Sequence, residues 1–242
     1  MDAEWAVCSD PARRGGKWTP DEFFATGERE IAAVLAFMKE RGLTVGGRAL
    51  DFGCGLGRLT RALCPHFSEV VGVDVSPEMI RRAQTYHADL GNCRFVVNER
   101  PDLALFPTGH FDFVLSLLAL QHVSAAEDIL RYIAEFVRVL KPGGVAAFQV
   151  PDRIPWRVRR HPLRILVRAA GPRAVQRADA MAPYAMALTP VPAVKVAEAL
   201  TAAGARLDTA VEDNRFGSRR LRSISYCAVK NPGVGGKPDA LS

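Results

Sequence analysis

Two short apolar runs constrain this chain most: Arg48-Ala49-Leu50-Asp51-Phe52 and Val70-Val71-Gly72-Val73-Asp74 each pass at once into a turn and then a helical pattern. After the first, Gly53-Cys54-Gly55-Leu56-Gly57 makes a glycine turn, and Leu59 to Leu63 resume helical spacing until Pro65. After the second, Ser76-Pro77 caps a helix that holds Met79, Ile80 and Ala83. The rhythm continues. Cys93 to Val97 and Phe111 to Ser116 read as two more strands, and Ser124-Ala125-Ala126-Glu127 as a capping box before Ile129, Ile133, Phe136, Val137 and Leu140. Lys141-Pro142-Gly143-Gly144 ends that helix, and Val145 to Val150 makes a fifth strand. Strands alternating with helices predict an α/β domain with a parallel sheet covered on both faces, whose ligands lie at the carboxyl ends of the strands.

The flanks differ. Thr19-Pro20-Asp21-Glu22 combines an N-cap, a proline at the first helical position and a capping-box glutamate, and Phe23, Phe24, Ile31, Val34, Leu35 and Met38 continue as a helical stripe. Trp18, Phe23 and Phe24 there suit either a helical lid or packing against the sheet. After Pro151 the rhythm stops in a segment with Arg153, Arg157, Arg159, Arg160, Arg164 and Arg168, before Thr189-Pro190 caps another helix. Gly204 ends that helix. Ala205 to Val211 and Arg222 to Lys230 form two closing, antiparallel strands. The divisions are therefore an N-terminal helical lid (1–45), a core (46–150), an inserted cap (151–190), a closing helix and strands (191–230) and a frayed tail (231–242) of one domain.

Composition narrows the class. In 242 residues, 48% are hydrophobic and 24% charged, the balance of an ordinary globular protein. No stretch approaches the roughly 18 apolar residues of a membrane span, and the start lacks the pattern of a secretory signal. A cytoplasmic location is the expectation. The five cysteines are scattered without Cys-x-x-Cys spacing, which predicts reduced thiols and no metal site.

The glycine turn alone is shared by several nucleotide-binding families. A dinucleotide site wants Gly-x-Gly-x-x-Gly around a pyrophosphate, and here the third glycine comes one residue early. Asp51, two residues before the first glycine, is awkward near a pyrophosphate but suits a ligand's ammonium group. Asp74 ends the second strand, where a carboxylate can accept both hydroxyls of a ribose. A ligand with an amino-acid part and a nucleoside part fits both acids.

With these residues the chain resembles the class I S-adenosylmethionine-dependent methyltransferase superfamily, in its methyltransferase-11-like, small-molecule branch. Ala49 to Arg58 resembles the first motif and Val71 to Met79 the second. Phe111 to Ser116 with Leu120-Gln121-His122-Val123 resembles the fourth, and Val139 to Gly144 the segment leading into the fifth strand. The resemblance implies a Rossmann-like seven-stranded sheet, mostly parallel with an antiparallel closing strand and helices on both faces. It implies S-adenosyl-L-methionine as cofactor, with Gly53, Cys54 and Gly55 around its methionine part and Asp74 on its ribose. Val75 and Met79 would flank the adenine, and Leu117 and Gln121 would contact the cofactor. The family's third-motif aspartate has no match here. Asn98 and Glu99 are instead the candidates for the adenine amino group, since either side chain can accept its hydrogen bond.

A sulfonium methyl is already activated, so in-line transfer needs orientation and no metal. His122 is the histidine nearest the end of the fourth strand and is a candidate base, or else a pocket residue. The arginine segment fits a solvated helix face, a cap over an anionic substrate or a nucleic-acid footprint. Trp156 is the one aromatic among those arginines, which disfavours nucleic acid and favours a small acceptor. Trp156, Met181, Tyr184 and Met186 suit an acceptor pocket or simple core. The leading expectation is methylation of a small metabolite in specialised biosynthesis. An RNA-directed methyltransferase and a non-catalytic cofactor-binding module are the alternatives.

Overall fold

The computed structural model describes residues 18–153, 188–213 and 222–232. The arginine-rich cap beyond Arg153, with Trp156, Met181, Tyr184 and Met186, and nearly all of the C-terminal tail lie outside the described residues.

Among the described residues, five helices and seven strands follow one another as α1 (Pro20–Glu40), β1 (Arg48–Phe52), α2 (Arg58–Leu63), β2 (Glu69–Asp74), α3 (Pro77–Tyr86), β3 (Cys93–Val97), β4 (Phe111–Ser116), α4 (Ala126–Val139), β5 (Leu140–Arg153), α5 (Ala193–Ala202), β6 (Ala205–Glu212) and β7 (Arg222–Lys230). They build one seven-stranded sheet in the order β3-β2-β1-β4-β5-β7-β6. The first five strands pair in parallel, and β7 alone runs against its neighbours β5 and β6. This is the mostly parallel, Rossmann-like sheet with an antiparallel closing strand that the family resemblance implied.

Alternation along the strands sorts the core into two layers. Leu50, Val114, Ala146 and Phe148 face α4 and α5 with Ile133, Phe136, Val196 and Leu200. Ala49, Phe113, Leu115, Val145 and Ala147 face α1 and α2 with Ile31, Val34, Leu59 and Leu63. Between β1 and β4 the chain order reverses, which opens a crevice at the strands' carboxyl ends.

Local signals at helix starts fared unevenly. Thr19 and Ser76 cap α1 and α3 as predicted, Thr19 in a reciprocal capping box with Glu22. Ser124 caps nothing: Ala125 is the N-cap of α4, without a side-chain bond, and Glu127 and Asp128 supply favourable charge in the first turn. Thr189-Pro190 does not start a helix either. Helix α5 begins at Ala193, whose N–H is taken by the Asp152 carboxylate 2.9 Å away, from the end of β5. Lys141 to Gly144 is not a turn between elements but an irregularity inside β5. Phe111 pairs with Leu140 and Phe113 with Val145, so the extra residues bulge outward with Gly143 at φ 78°.

Helix α1 is tied to the start of α2. Arg58 Nη2 lies 2.8 Å from Glu30 Oε2, and Arg58 Nη1 is 3.3 Å from Thr26 Oγ1. Gly27 lets the two backbones touch, because a Cβ there would stand 2.4 Å from the Arg58 carbonyl oxygen. Helix propensity favours alanine over glycine by about 1 kcal/mol. The contact opposes it by about 1–3 kcal/mol of overpacking. Gly27→Ala is therefore expected to lower the melting temperature by a few degrees rather than raise it, as calorimetric scanning would read.

Candidate active site

The glycine turn is drawn onto the second strand. The N–H groups of Gly53 and Cys54 both donate to the Val73 carbonyl, at 2.8 and 3.0 Å. Gly53 has φ 78°, and a Cβ on it would stand 2.2 Å from the Ala119 Cβ. The turn after β1 thus interlocks with the loop after β4. Gly57 has φ 80° as the N-cap of α2, and a Cβ there would meet the His87 ring at 2.7 Å. The early third glycine is a helix cap and a packing position.

Asp74, at the end of β2, is fixed from two sides. Its Oδ2 accepts the Gly55 N–H and its Oδ1 the Ser76 N–H, both at 2.9 Å. A carboxylate has about four acceptor positions, so each oxygen keeps capacity for a ligand hydroxyl. Next along the edge, Val75 is 67% exposed. Met79 is half-buried against Phe23, Phe24 and Leu56. That cluster packs Phe23 and Phe24 against Leu56 of the turn.

Asp51 lies behind the turn. It is 1% exposed, and one carboxylate oxygen accepts a 2.7 Å hydrogen bond from the Thr60 hydroxyl. Burial raises its pKa to about 6, with the Asp74 charge adding to the rise while the Thr60 bond and the Arg58 charge oppose it. A single threonine in the apolar stripe Leu59–Leu63 was the sequence's one hint of this partner. Cys54 is also buried, and desolvation holds its thiol protonated.

At the end of β3, the backbone N–H of Asn98 donates to the Asp74 carbonyl at 2.9 Å. Its side-chain Nδ2 donates to the Asp102 carbonyl at 2.8 Å, while its buried Oδ1 has no partner among the described residues. Glu99 is exposed. Asn98 is thus the member of the pair with a free, directed acceptor beside Asp74.

The exit of β4 is strained. Leu118 has φ 61°, the one positive φ outside glycine among the described residues. Leu117 is buried on the α1 side of the sheet, and Leu120–His122 form a single 3-10 turn. Gln121 is buried with Nε2 2.9 Å from His122 Nε2, and its Oε1 has no partner among the described residues. The His122 residue has open surface, yet the atoms crowding it lower its pKa to about 4 by desolvation. Water at the open side limits the size of that shift, but its direction leaves a neutral imidazole at pH 7. Sequence reasoning missed Leu118 and Ala119, because neither strain nor a contact across 66 residues leaves a local pattern.

Asp51, the glycine turn, Asp74, Val75, Met79, Asn98, Leu117, Gln121 and His122 therefore all stand around the carboxyl ends of β1, β2, β3 and β4. Glu99 is on the outer rim.

Residues 50–148, which build this edge, match the family model described as "Methyltransferase domain". Among curated proteins, the ubiquinone biosynthesis O-methyltransferase of Xanthomonas oryzae pv. oryzae is 32% identical over 122 residues, 50% of each chain. The demethylmenaquinone methyltransferase of Tropheryma whipplei is 35% identical over 121 residues, 49% of this chain and 48% of its own. The chain thus spans about half the length of the curated relatives it matches. Among solved structures, magnesium protoporphyrin IX methyltransferase from Synechocystis PCC 6803, solved with bound SAH, superposes with a TM-score of 0.61 at 19% identity, over 94% of this chain and 93% of its own. A S-adenosylmethionine-dependent methyltransferase from Clostridium acetobutylicum gives 0.57 at 16% identity, over 87% and 98%. Those structures share the fold, and residues 50–148, which shape the crevice, are similar to the methyltransferase domain that the family model describes.

Proposed function

We propose that this protein transfers a methyl group from S-adenosylmethionine to a small-molecule acceptor. The observation that carries the proposal is the Asp74 carboxylate, held by two backbone N–H groups at the mouth of a turn that has no room for a side chain at Gly53. The residues present fit the cofactor. Asp74 would accept its ribose hydroxyls, and the orphaned Asn98 Oδ1 would accept from its adenine amino group. Gly53, Cys54 and Gly55 would follow its methionine part, with Val75 and Met79 beside the adenine and Leu117 and Gln121 closing the β4 side. Bound there, it would supply a sulfonium-activated methyl for in-line attack.

Asp51 would act through its charge from beneath the turn. In the ligand-free protein its folded pKa of about 6 exceeds the usual carboxylate value, so the folded state binds the extra proton between roughly pH 4 and 6. Stability therefore falls as pH rises through that window. Above it the ionised carboxylate costs on the order of 2–3 kcal/mol. An ammonium group near the turn recovers part of this. Asp51→Asn is expected to raise the melting temperature of the free protein at pH 7 and to weaken cofactor binding. The wild-type affinity should drop as pH falls below about 6, which calorimetry across pH 5–8 would read.

His122 is the candidate base for the acceptor's proton. It is neutral at pH 7, and its unprotonated nitrogen is Nε2, which accepts from the Gln121 amide at 2.9 Å. That nitrogen would have to exchange this bond for the acceptor's proton, and a depressed pKa makes it a weak base. His122→Ala should lower kcat by about 100-fold or more and leave the cofactor Kd unchanged. Wild-type turnover should stay flat at neutral pH and fall under acid conditions as the imidazole protonates. Loss of cofactor affinity with kcat intact would make His122 a pocket residue.

The names of the curated relatives refer to quinones, so ring-hydroxylated quinone precursors lead the acceptor panel, followed by metabolites of specialised pathways. Transfer of labelled methyl to a member of that panel supports the proposal. Transfer to RNA alone, or cofactor binding with no transfer to any acceptor, contradicts it.

A further inference from the structure

Gln149, near the end of β5, is 2% exposed, and neither its Nε2 nor its Oε1 has a hydrogen-bond partner among the described residues. It pairs across the sheet with Ser225 of β7. Phe148, just before it, is the last β5 residue paired to β4, at Ser116. Strand alternation puts Gln149 on the same face as Val145 and Ala147, which cluster with Leu117 and Cys227. The amide therefore lies on the α1 side of the sheet, level with the point where Leu117 leaves β4 for the Gln121–His122 turn.

No described residue satisfies the amide. Ser225, its cross-strand neighbour, gives its hydroxyl proton to Asp213 Oδ2 at 2.6 Å. A buried donor and acceptor left open destabilise the ligand-free protein, and a leucine or methionine would fill the same space without that penalty. Polar groups stranded in this way at the carboxyl edge of a parallel sheet are matched to what binds there.

We infer that Gln149 is a specificity-determining residue that receives the methyl acceptor, its amide hydrogen-bonding a neutral group with a donor and an acceptor side by side. Two neighbouring hydroxyls, or a hydroxyl beside a carbonyl or carboxamide, have that pattern. The complement is neutral because a charge brought against a fully buried amide gives up its hydration without an opposite charge to replace it. This inference rests on the methyltransferase reading and adds the chemical class of the acceptor to it.

The test compares wild type with Gln149→Met, which keeps the side chain's length and removes its polar atoms. Gln149→Met should melt about 3 °C higher, because an unmet donor and acceptor are gone. Calorimetry should give the same Kd for S-adenosylhomocysteine within twofold. With that compound saturating, catechol, salicylamide and 2,3-dihydroxynaphthalene are titrated into both proteins, with naphthalene as the apolar comparator. At least one of the three should bind wild type and lose tenfold or more in Gln149→Met, while naphthalene treats the two alike. Equal binding of the probes by both proteins, no probe binding to wild type, a less stable variant, or a variant impaired for S-adenosylhomocysteine would each overturn the inference. Failure of wild type to bind S-adenosylhomocysteine would overturn the proposed function as well, and so separates the two.

Discussion

Gly53→Ala is expected to weaken S-adenosylmethionine binding by roughly 100-fold and to lower the melting temperature by roughly 5–15 °C. Two costs add. The left-handed conformation, φ 78°, opposes any Cβ by about 1–2 kcal/mol. The new methyl would also stand 2.2 Å from the Ala119 Cβ, and forcing such contacts apart costs about 1–3 kcal/mol. What yields is the turn or the strained loop of Leu118 to His122, and both border the proposed cofactor site. Gly143→Ala separates the two costs, since Gly143 shares φ 78° but a methyl added there would have nothing within 4 Å. It should lose only the conformational part, with cofactor affinity untouched. Ala119→Gly combined with Gly53→Ala should restore much of the affinity, because it removes the opposing methyl. Isothermal titration and scanning calorimetry on the four proteins check the scheme.

The parts of this fold that were legible in the sequence are those set by local apolar pattern. Arg48–Phe52, Cys93–Val97 and Phe111–Ser116 are strands with the bounds read from their runs, because buried parallel strands need continuous apolar residues between turn formers. The cap from Thr19 was legible for a similar reason: both partners of its hydrogen bonds lie within three residues. The start of α5 was not, since its capping carboxylate, Asp152, lies 41 residues before Ala193. Nor was the bulge in β5, where Lys141-Pro142-Gly143-Gly144 has the composition of a turn and only pairing with β4 reveals a strand.

The candidate site shows the same division. Asp74 and the glycines could be placed from strand ends and spacing. The burial of Asp51 beneath the turn, its bond to Thr60 and the resulting shift to about 6 depend on how α2 packs, which spacing does not encode. Gln149 looked like an ordinary strand residue, because an unsatisfied amide is visible only when its neighbours are known.

Asp74→Ala is the second large effect. Two hydrogen bonds from ribose hydroxyls to a carboxylate contribute about 1.5–3 kcal/mol each. Their loss, together with release of the Gly55 and Ser76 N–H groups, should weaken cofactor binding at least about 100-fold. The carboxylate is at the mouth of the crevice and half-buried, so the fold itself should survive, with a melting temperature within several degrees of wild type. Isothermal titration of S-adenosylmethionine into wild type and Asp74→Ala is the most direct measurement of the central claim. Binding by wild type and a loss of about 100-fold or more in the folded variant is the predicted result; equal affinity in the two proteins would contradict it.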